Sequence, residues 1–236
     1  VHHGDGGNLR RVHAHSKNVN AAVGAGDCGV VRDERVELLQ QRRPHLRQIF
    51  GYEGAIPDDS DLLTFGDEIY TMQFWTPRFC QTVIRAAEAV GAFEPNDDDP
   101  VPGRECRLKD ISPTLFNAVE IDIGMRVFPK LREVWPYIDY HGLNDVFVIK
   151  YALGEQESLR MHHDVAQISA SVKLNNDYVG AVLDFPRQGV SNESLGVGEM
   201  IVWPSLVTHP HQATQLESGV KYALTVWFEL PGFYAG

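Results

Sequence analysis

Residues 160–169 read RMHHDVAQIS. Two adjacent histidines run into an aspartate, and apolar residues then alternate with polar ones. Alternation is the signature of a β-strand, in which positions i and i+2 point to the same face. Read as a strand, the stretch sends His162 and Asp164 to one point and turns His163 away. The same texture continues around it. DVFVIKYAL, AQISASVKL, YVGAVLDF, EMIVWP and KYALTVWFEL are short and rich in β-branched and aromatic residues, and turn signals such as LNND and PRQG separate them. Many short strands with tight turns indicate a sandwich or barrel. Upstream the texture is helical. TPRFCQTVIRAAEAVGAF is the clearest helix, with Thr76 as cap, Pro77 in the first turn, Gly91 as stop, and Phe79, Cys80, Val83, Ile84, Ala87 and Val90 on one buried face. RDERVELLQQRR, residues 32–43, reads as a second helix ended by Pro44, and PDDSDLLTFGDEIYTMQFW as a turn leading into a strand near Trp75. Helices first and strands second give an α+β fold, with the helices outside a β core. The expected organisation is an irregular lead-in over 1–30 and a single domain over 31–236, with helical support over 31–140 and the β core over 141–236.

Composition narrows the class. Hydrophobic residues make up 43% of the 236-residue chain and charged residues 22%, which is ordinary for a globular protein. No apolar run is long enough for a membrane helix, and the N-terminal VHHGDGGNLRRVHAHSK lacks the apolar core of a secretory signal. Cys28, Cys80 and Cys106 are odd in number and lack CxxC spacing, which points to a reducing cytoplasm rather than a disulfide scaffold or thiolate zinc site. A net charge of −11 argues against nucleic acid and mildly favours a cationic substrate. Asp97, Asp98 and Asp99 read as a solvated acidic loop.

His162 and Asp164 need a third ligand if they hold a metal. VTHPHQATQ offers His209 and His211. Two histidines and one carboxylate make the facial set of non-haem Fe(II) oxygenases, which leaves three positions open for a bidentate cosubstrate and O2. H-x-D alone occurs by chance. H-x-D followed some fifty residues later by a His, and ten after that by a basic residue in a strand, is far more telling, and His162, Asp164, His211 and Lys221 fit it. His209 lies two residues too far from Lys221. In VKYALTVWF, Lys221, Ala223, Thr225 and Trp227 share one face. A lysine on an inward face needs an anionic partner, which in this reading is the distal carboxylate of 2-oxoglutarate.

FVIKYALGEQESLRMHHD, LNNDYVGA and PSLVTHPHQATQLESGVKYALTVWF together resemble the catalytic domain of procollagen lysyl hydroxylases, which are Fe(II)/2-oxoglutarate dioxygenases. Weaker similarity reaches back through VEIDIGM to FWTPRFC. The resemblance implies a double-stranded β-helix, a jelly roll of cupin-like type flanked by N-terminal helices. It implies His162, Asp164 and His211 as iron ligands, so that His163 and His209 are not. Lys221 stands where lysyl hydroxylases carry Arg and related prolyl hydroxylases carry Lys, and Tyr151 matches a tyrosine lining the 2-oxoglutarate pocket. Fe(II), 2-oxoglutarate and O2 are the implied cofactor and cosubstrates, with ascorbate as a stimulant. Asp164 argues for hydroxylation, desaturation or ring closure, since halogenating relatives lack this carboxylate.

The chain departs from the family at the mouth of the site. Ser171 replaces an Asn, and GAVLDF replaces a glycine-rich segment ending in Arg, which puts Asp184 near that position as a candidate partner for a substrate amine. The glycosyltransferase-like modules of the animal enzymes have no counterpart here. The expectation is therefore a free, lysine-like amino acid or derivative as a small-molecule substrate in a microbial biosynthetic pathway. Peptidyl-lysine hydroxylation is the alternative within the class, and a non-catalytic jelly-roll ligand-binding protein the alternative outside it. No nucleic-acid or membrane partner is expected, and a homodimer is compatible with the sequence.

Overall fold

The alternating segments become strands because their apolar residues have two layers to bury against. In this computed structural model, which describes residues 52–57, 60–96 and 99–230, the strands are β1 (Leu63–Gly66), β2 (Ile69–Gln73), β3 (Glu94–Pro95), β4 (Arg104–Arg107), β5 (Leu143–Ala152), β6 (Leu159–His162), β7 (Ile168–Lys173), β8 (Tyr178–Gly180), β9 (Leu183–Phe185), β10 (Val190–Ser191), β11 (Glu199–Pro204), β12 (His211–Ala213) and β13 (Leu216–Phe228). The expected lead-in over 1–30 and the expected helix over 32–43 lie outside the described residues.

Two antiparallel sheets form. The larger runs β1-β2-β11-β7-β13-β5-β4-β3, with β8 pairing onto β13, and the smaller runs β10-β9-β12-β6. From β5 onward the chain passes repeatedly between them: β5, β7, β11 and β13 lie in the large sheet, and β6, β9 and β12 in the small one. This is the winding of a jelly roll, as the family resemblance implied.

The large sheet is covered on both faces. Val146, Val148, Ala170, Val172, Leu224 and Val226 pack against helical residues such as Val83, Leu115 and Phe116. The alternate residues Phe147, Ile149, Tyr151 and Ala223 turn toward the small sheet, where Leu159 and Ala213 meet them. Burial from two sides explains why β7, ISASVK, is buried at every position. Each large apolar side chain so buried contributes roughly 1.5–3 kcal/mol.

The helix at Pro77–Val90 has the expected bounds. Gly91, at φ 68, closes it through its N–H to the Ala87 carbonyl. Phe79, Cys80, Val83 and Ala87 are buried, whereas Val90, at the C-terminal end of that face, is 42% exposed. Thr76 holds the cap position, but its hydroxyl donates to the Gly54 carbonyl at 2.9 Å rather than capping the helix. A buried polar group ties residue 52 to the helical layer. Arg126 Nε and Nη2 grip the Asp122 carboxylate at 2.8 and 2.7 Å, the Tyr52 hydroxyl donates to the same carboxylate at 3.0 Å, and Trp75 Nε1 donates to Tyr52.

Two expectations are corrected. Residues 31–140, expected as helical support with one strand near Trp75, supply more than that strand: β2 is the expected one and pairs with β11, but β4 also forms and pairs with β5, so the large sheet is extended at both sides. RECR, the sequence of β4, is too short and polar to show a period, and its strand state comes from pairing with β5. YVGAVLDF is not one strand. Gly180 (φ 81) and Ala181 (φ 45) both take left-handed conformations, which breaks it into β8 and β9. A side chain at Gly180 would meet the Gln215 carbonyl at 2.1 Å.

Candidate metal centre and cosubstrate pocket

β6 and β12 are neighbours in the small sheet, and their register sets His162 directly opposite His211. β6 ends at His162, so Asp164 is delivered by the turn that follows rather than by the strand itself. The three side chains converge. Asp164 Oδ1 lies 3.4 Å from His162 Nε2 and 3.5 Å from His211 Nε2, and the three ligand atoms all fall within 4.8 Å of one another. Among the described residues this is the one such cluster of His, Cys, Asp and Glu.

The hydrogen bonds set the chemistry. His162 Nδ1 donates to the Arg160 carbonyl at 2.8 Å, and His211 Nδ1 donates to the His209 carbonyl at 3.1 Å. A carbonyl only accepts, so each Nδ1 carries a proton, and each ring turns its Nε2 toward the third ligand, where the neutral form presents a lone pair. Two lone pairs and an anionic oxygen around one point repel each other unless a cation sits among them. Burial opposes the charge on Asp164, yet His211, His162 and Ser169 hold its carboxyl well below the usual carboxylate range. Burial opposes a proton on His162 as well, but Asp164 outweighs it and raises that pKa. The pair therefore attracts positive charge, and a divalent ion would take the place of that proton. The donor set fits Fe(II), with nitrogen and oxygen on one face.

The aspartate is held from behind. Ser169 Oγ donates to Asp164 Oδ2 at 2.5 Å, and Ser205 Oγ donates to Ser169 at 2.8 Å, all three residues being buried. Trp203 packs edge-on against the His211 ring at 4.9 Å. These supports are absent from the sequence reading, which weighed Ser171 but not Ser169. The signal available was the parity of β7, in which Ser169 and Ser171 share a face.

Lys221 and Tyr151 stand directly opposite each other on β13 and β5. Both line the cavity that also exposes His162, Asp164 and His211, as do Ala223, Thr225 and Trp227, the face expected from alternation. Lys221 is 3% exposed. Its ammonium donates to the carbonyl of Ala181, the residue whose left-handed backbone turns that oxygen inward, and lies 5.0 Å from the Tyr151 ring centre and 6.0 Å from that of Tyr178. No carboxylate pairs with it among the described residues. Burial, and secondarily Lys173, push its pKa down to about 7. Burial and the nearby Asp164 raise the pKa of the Tyr151 phenol, so it stays a neutral donor. A buried cation and a phenol facing one cavity fit a carboxylate of 2-oxoglutarate.

The remaining candidates fall outside this arrangement. His163 is exposed. His209 is buried but engaged, its Nε2 on the Asp67 carbonyl at 3.0 Å and its Nδ1 on Thr208 at 2.8 Å. Asp184 does not line the cavity. Leu183 does, and the strand's alternation turns Asp184 away to accept a hydrogen bond from Gln212 at 3.0 Å. The carboxylates that do line it are Asp99 and Glu105, which sequence reasoning left as solvated loop or unmarked.

Comparison with known proteins agrees with this geometry. No family model matches the chain. A multifunctional procollagen lysine hydroxylase and glycosyltransferase of Caenorhabditis elegans is 23% identical over 83% of this chain and 30% of its own length. Human procollagen-lysine,2-oxoglutarate 5-dioxygenase 2 is 35% identical over 32% of this chain and 11% of its own. The chain thus spans less than a third of these relatives. Among solved structures, a viral collagen prolyl hydroxylase from Paramecium Bursaria Chlorella virus-1, in a 2OG complex, superposes with a TM-score of 0.54 at 19% identity, covering 70% of this chain and 97% of that one. A prolyl-4-hydroxylase of Pseudomonas putida gives 0.51 at 16%, covering 70% and 94%. The chain shares their fold.

Proposed function

We propose that this chain is an Fe(II)- and 2-oxoglutarate-dependent oxygenase that hydroxylates, or otherwise oxidises by desaturation or ring closure, an unactivated C–H bond of an amino-acid side chain. The observation that carries this reading is one cavity holding both the converging His162, Asp164 and His211 donors and the unpaired buried Lys221. Bound Fe(II) would supply the oxidising chemistry with O2, as 2-oxoglutarate is converted to succinate and CO2.

The chain's own residues do the rest. His162, Asp164 and His211 would hold the ion, while Ser169 and Ser205 fix the carboxylate of that set. Lys221 would neutralise the far carboxylate of 2-oxoglutarate, with the Tyr151 hydroxyl as a donor beside it; their shared place in the cavity lining supports this role. Phe147, Ile149, Trp203 and Trp227 keep the cavity apolar and exclude water from the reacting centre.

The substrate in this reading is a free lysine-like amino acid in a microbial pathway. Hydroxylation of peptidyl lysine is the second reading, favoured by the relatives named as procollagen lysine hydroxylases. Both assign a small cationic side chain to the cavity. Cys80 and Cys106 are buried free thiols, which supports the cytoplasmic reading, and no helix among the described residues is long and apolar enough to cross a membrane. The test is succinate formation by the purified protein with Fe(II), ascorbate and 2-oxoglutarate, in the presence of L-lysine or a short lysine peptide. Stimulation by either amine identifies the substrate class. A protein that binds neither metal nor 2-oxoglutarate refutes the oxygenase and leaves the non-catalytic jelly roll.

A further inference from the structure

One charge in this cavity has no use in the oxygenase reading. Glu105 on β4 is 6% exposed and lines the cavity. It pairs with Ile149 on β5, and Ile149 faces the small sheet, so Glu105 faces the same way. Its Oε1 accepts no hydrogen bond. The nearest cation is Arg107 Nε at 3.7 Å, on a side chain that is 44% exposed and also reaches Asp145 at 3.4 Å. The guanidinium is thus a shared, half-exposed neighbour that offsets only part of the charge on Oε1. A buried carboxylate oxygen with no donor is costly, and a fold that keeps one reserves it for something that arrives later. Burial, reinforced by Asp145, pushes the Glu105 carboxyl up to about 7, which reports the same unmet demand.

The surroundings select the kind of guest. Val101, Gly103 and Glu105 line one wall. Gly103 leaves that wall thin, since a side chain there would come within 2.7 Å of Ile149 Cδ1. Phe147, Ile149 and Trp227 supply apolar surface beside the carboxylate. Asp99, in the same lining, is close enough to His162 and Asp164 to interact with both electrostatically. The cavity therefore has positive charge at Lys221, donors for a metal at His162, Asp164 and His211, and negative charge at Glu105 and Asp99. An outer cleft past Arg107, Asp145 and the exposed His163 shares Asp99, Asp164 and Trp227 with it and offers a way in.

We propose that Glu105 is the specificity-determining counter-ion for an ammonium group on the substrate, with its methylene stem on Phe147, Ile149 and Trp227, and that Asp99 is the second carboxylate of this subsite. The inference rests on the oxygenase reading only for naming the guest a substrate. It places the acidic partner on β4 rather than at Asp184.

The test uses an isosteric pair of probes, n-pentylammonium and n-pentanol, titrated calorimetrically at pH 8 into Zn(II)-loaded protein, with 2-oxoglutarate titrated separately. Wild type should prefer the ammonium by about tenfold or more, the range of a charge-assisted hydrogen bond. Glu105→Gln should bring the ratio close to one, Asp99→Asn should lower it in part, and Glu105→Asp should keep most of it. A merely structural role would weaken both probes together and leave the ratio unchanged. An undiminished preference in Glu105→Gln overturns the proposal, and so does an ammonium probe that fails to bind wild type. If 2-oxoglutarate fails to bind while the charge preference stands, the oxygenase reading falls and the cation subsite survives.

Discussion

Replacing Lys221 with Met keeps the length of the side chain and removes its charge, so it isolates the role of the ammonium. In the ligand-free protein the lysine is a buried cation held by one carbonyl and two ring faces. When 2-oxoglutarate binds, wild type gains a charge-assisted hydrogen bond worth about 1.5–3 kcal/mol. The variant instead leaves a carboxylate without a partner in a dry cavity, a situation that costs about 3–5 kcal/mol when complete. With partial rehydration, 3–4 kcal/mol remains, and at about 1.4 kcal/mol per decade the 2-oxoglutarate Kd should rise by two to three orders of magnitude. The assay is calorimetric titration of anaerobic Fe(II) protein with 2-oxoglutarate, and metal affinity should be unaltered. Burial holds Lys221 at about 7 against the usual lysine value of 10.5, whereas a bound anion raises it. Wild-type affinity should therefore be flat below pH 7 and fall above it as binding comes to require proton uptake, and Lys221→Met should lack this slope. Between pH 7 and 10.5 the unfolded chain holds the proton that the fold resists, so the lysine destabilises the ligand-free protein fully below pH 7 and progressively less as pH rises. Without ligand, Lys221→Met should melt higher than wild type at pH 6, by an amount that closes toward pH 10. An unchanged Kd in Lys221→Met would remove Lys221 from the pocket and leave the cosubstrate assignment without its anchor.

The other consequences are local. Ser169→Ala frees Asp164 to turn and should lower metal affinity by about ten- to a hundredfold in competition with a chelator; wild-type affinity would mean that the Ser205–Ser169 chain does not orient the ligand. His162, Asp164 and His211 changed singly to Ala should each lose the bound equivalent of metal, while His163→Ala keeps it. His209→Ala should keep it too but lose roughly 1–3 kcal/mol of stability as the hydrogen bonds to Asp67 and Thr208 vanish, so metal loss in that variant would reassign the third ligand. Asp122→Ala strands the partly buried Arg126 and should cost about 3 kcal/mol in denaturant unfolding, the lower end for a broken buried pair, and a loss below about 1 kcal/mol would show that the guanidinium finds water.

The period-two pattern from β5 to β13 and the face of Lys221 were legible in the sequence because each depends on one strand's parity, whereas His162, Asp164 and His211 were legible as a spaced motif, with a turn rather than the strand delivering Asp164. Tyr151 entered as a candidate through the family resemblance, and the register sets it opposite Lys221. Boundaries set by backbone strain were not, as the break at Gly180 and Ala181 shows. Nor were the residues that complete the cavity. Asp184 and Glu105 are both acidic residues in short strands, and nothing in their neighbourhoods distinguishes them. Asp184 is kept out of the lining because β9 meets β12 with Gln212 opposite it, and that amide, which does line the cavity, takes up its carboxylate. Glu105 is turned inward because β4 adds to the edge of β5, pairing segments far apart in the chain. Strand parity fixes which residues share a face, but only the pairing of distant strands decides which face becomes the inside.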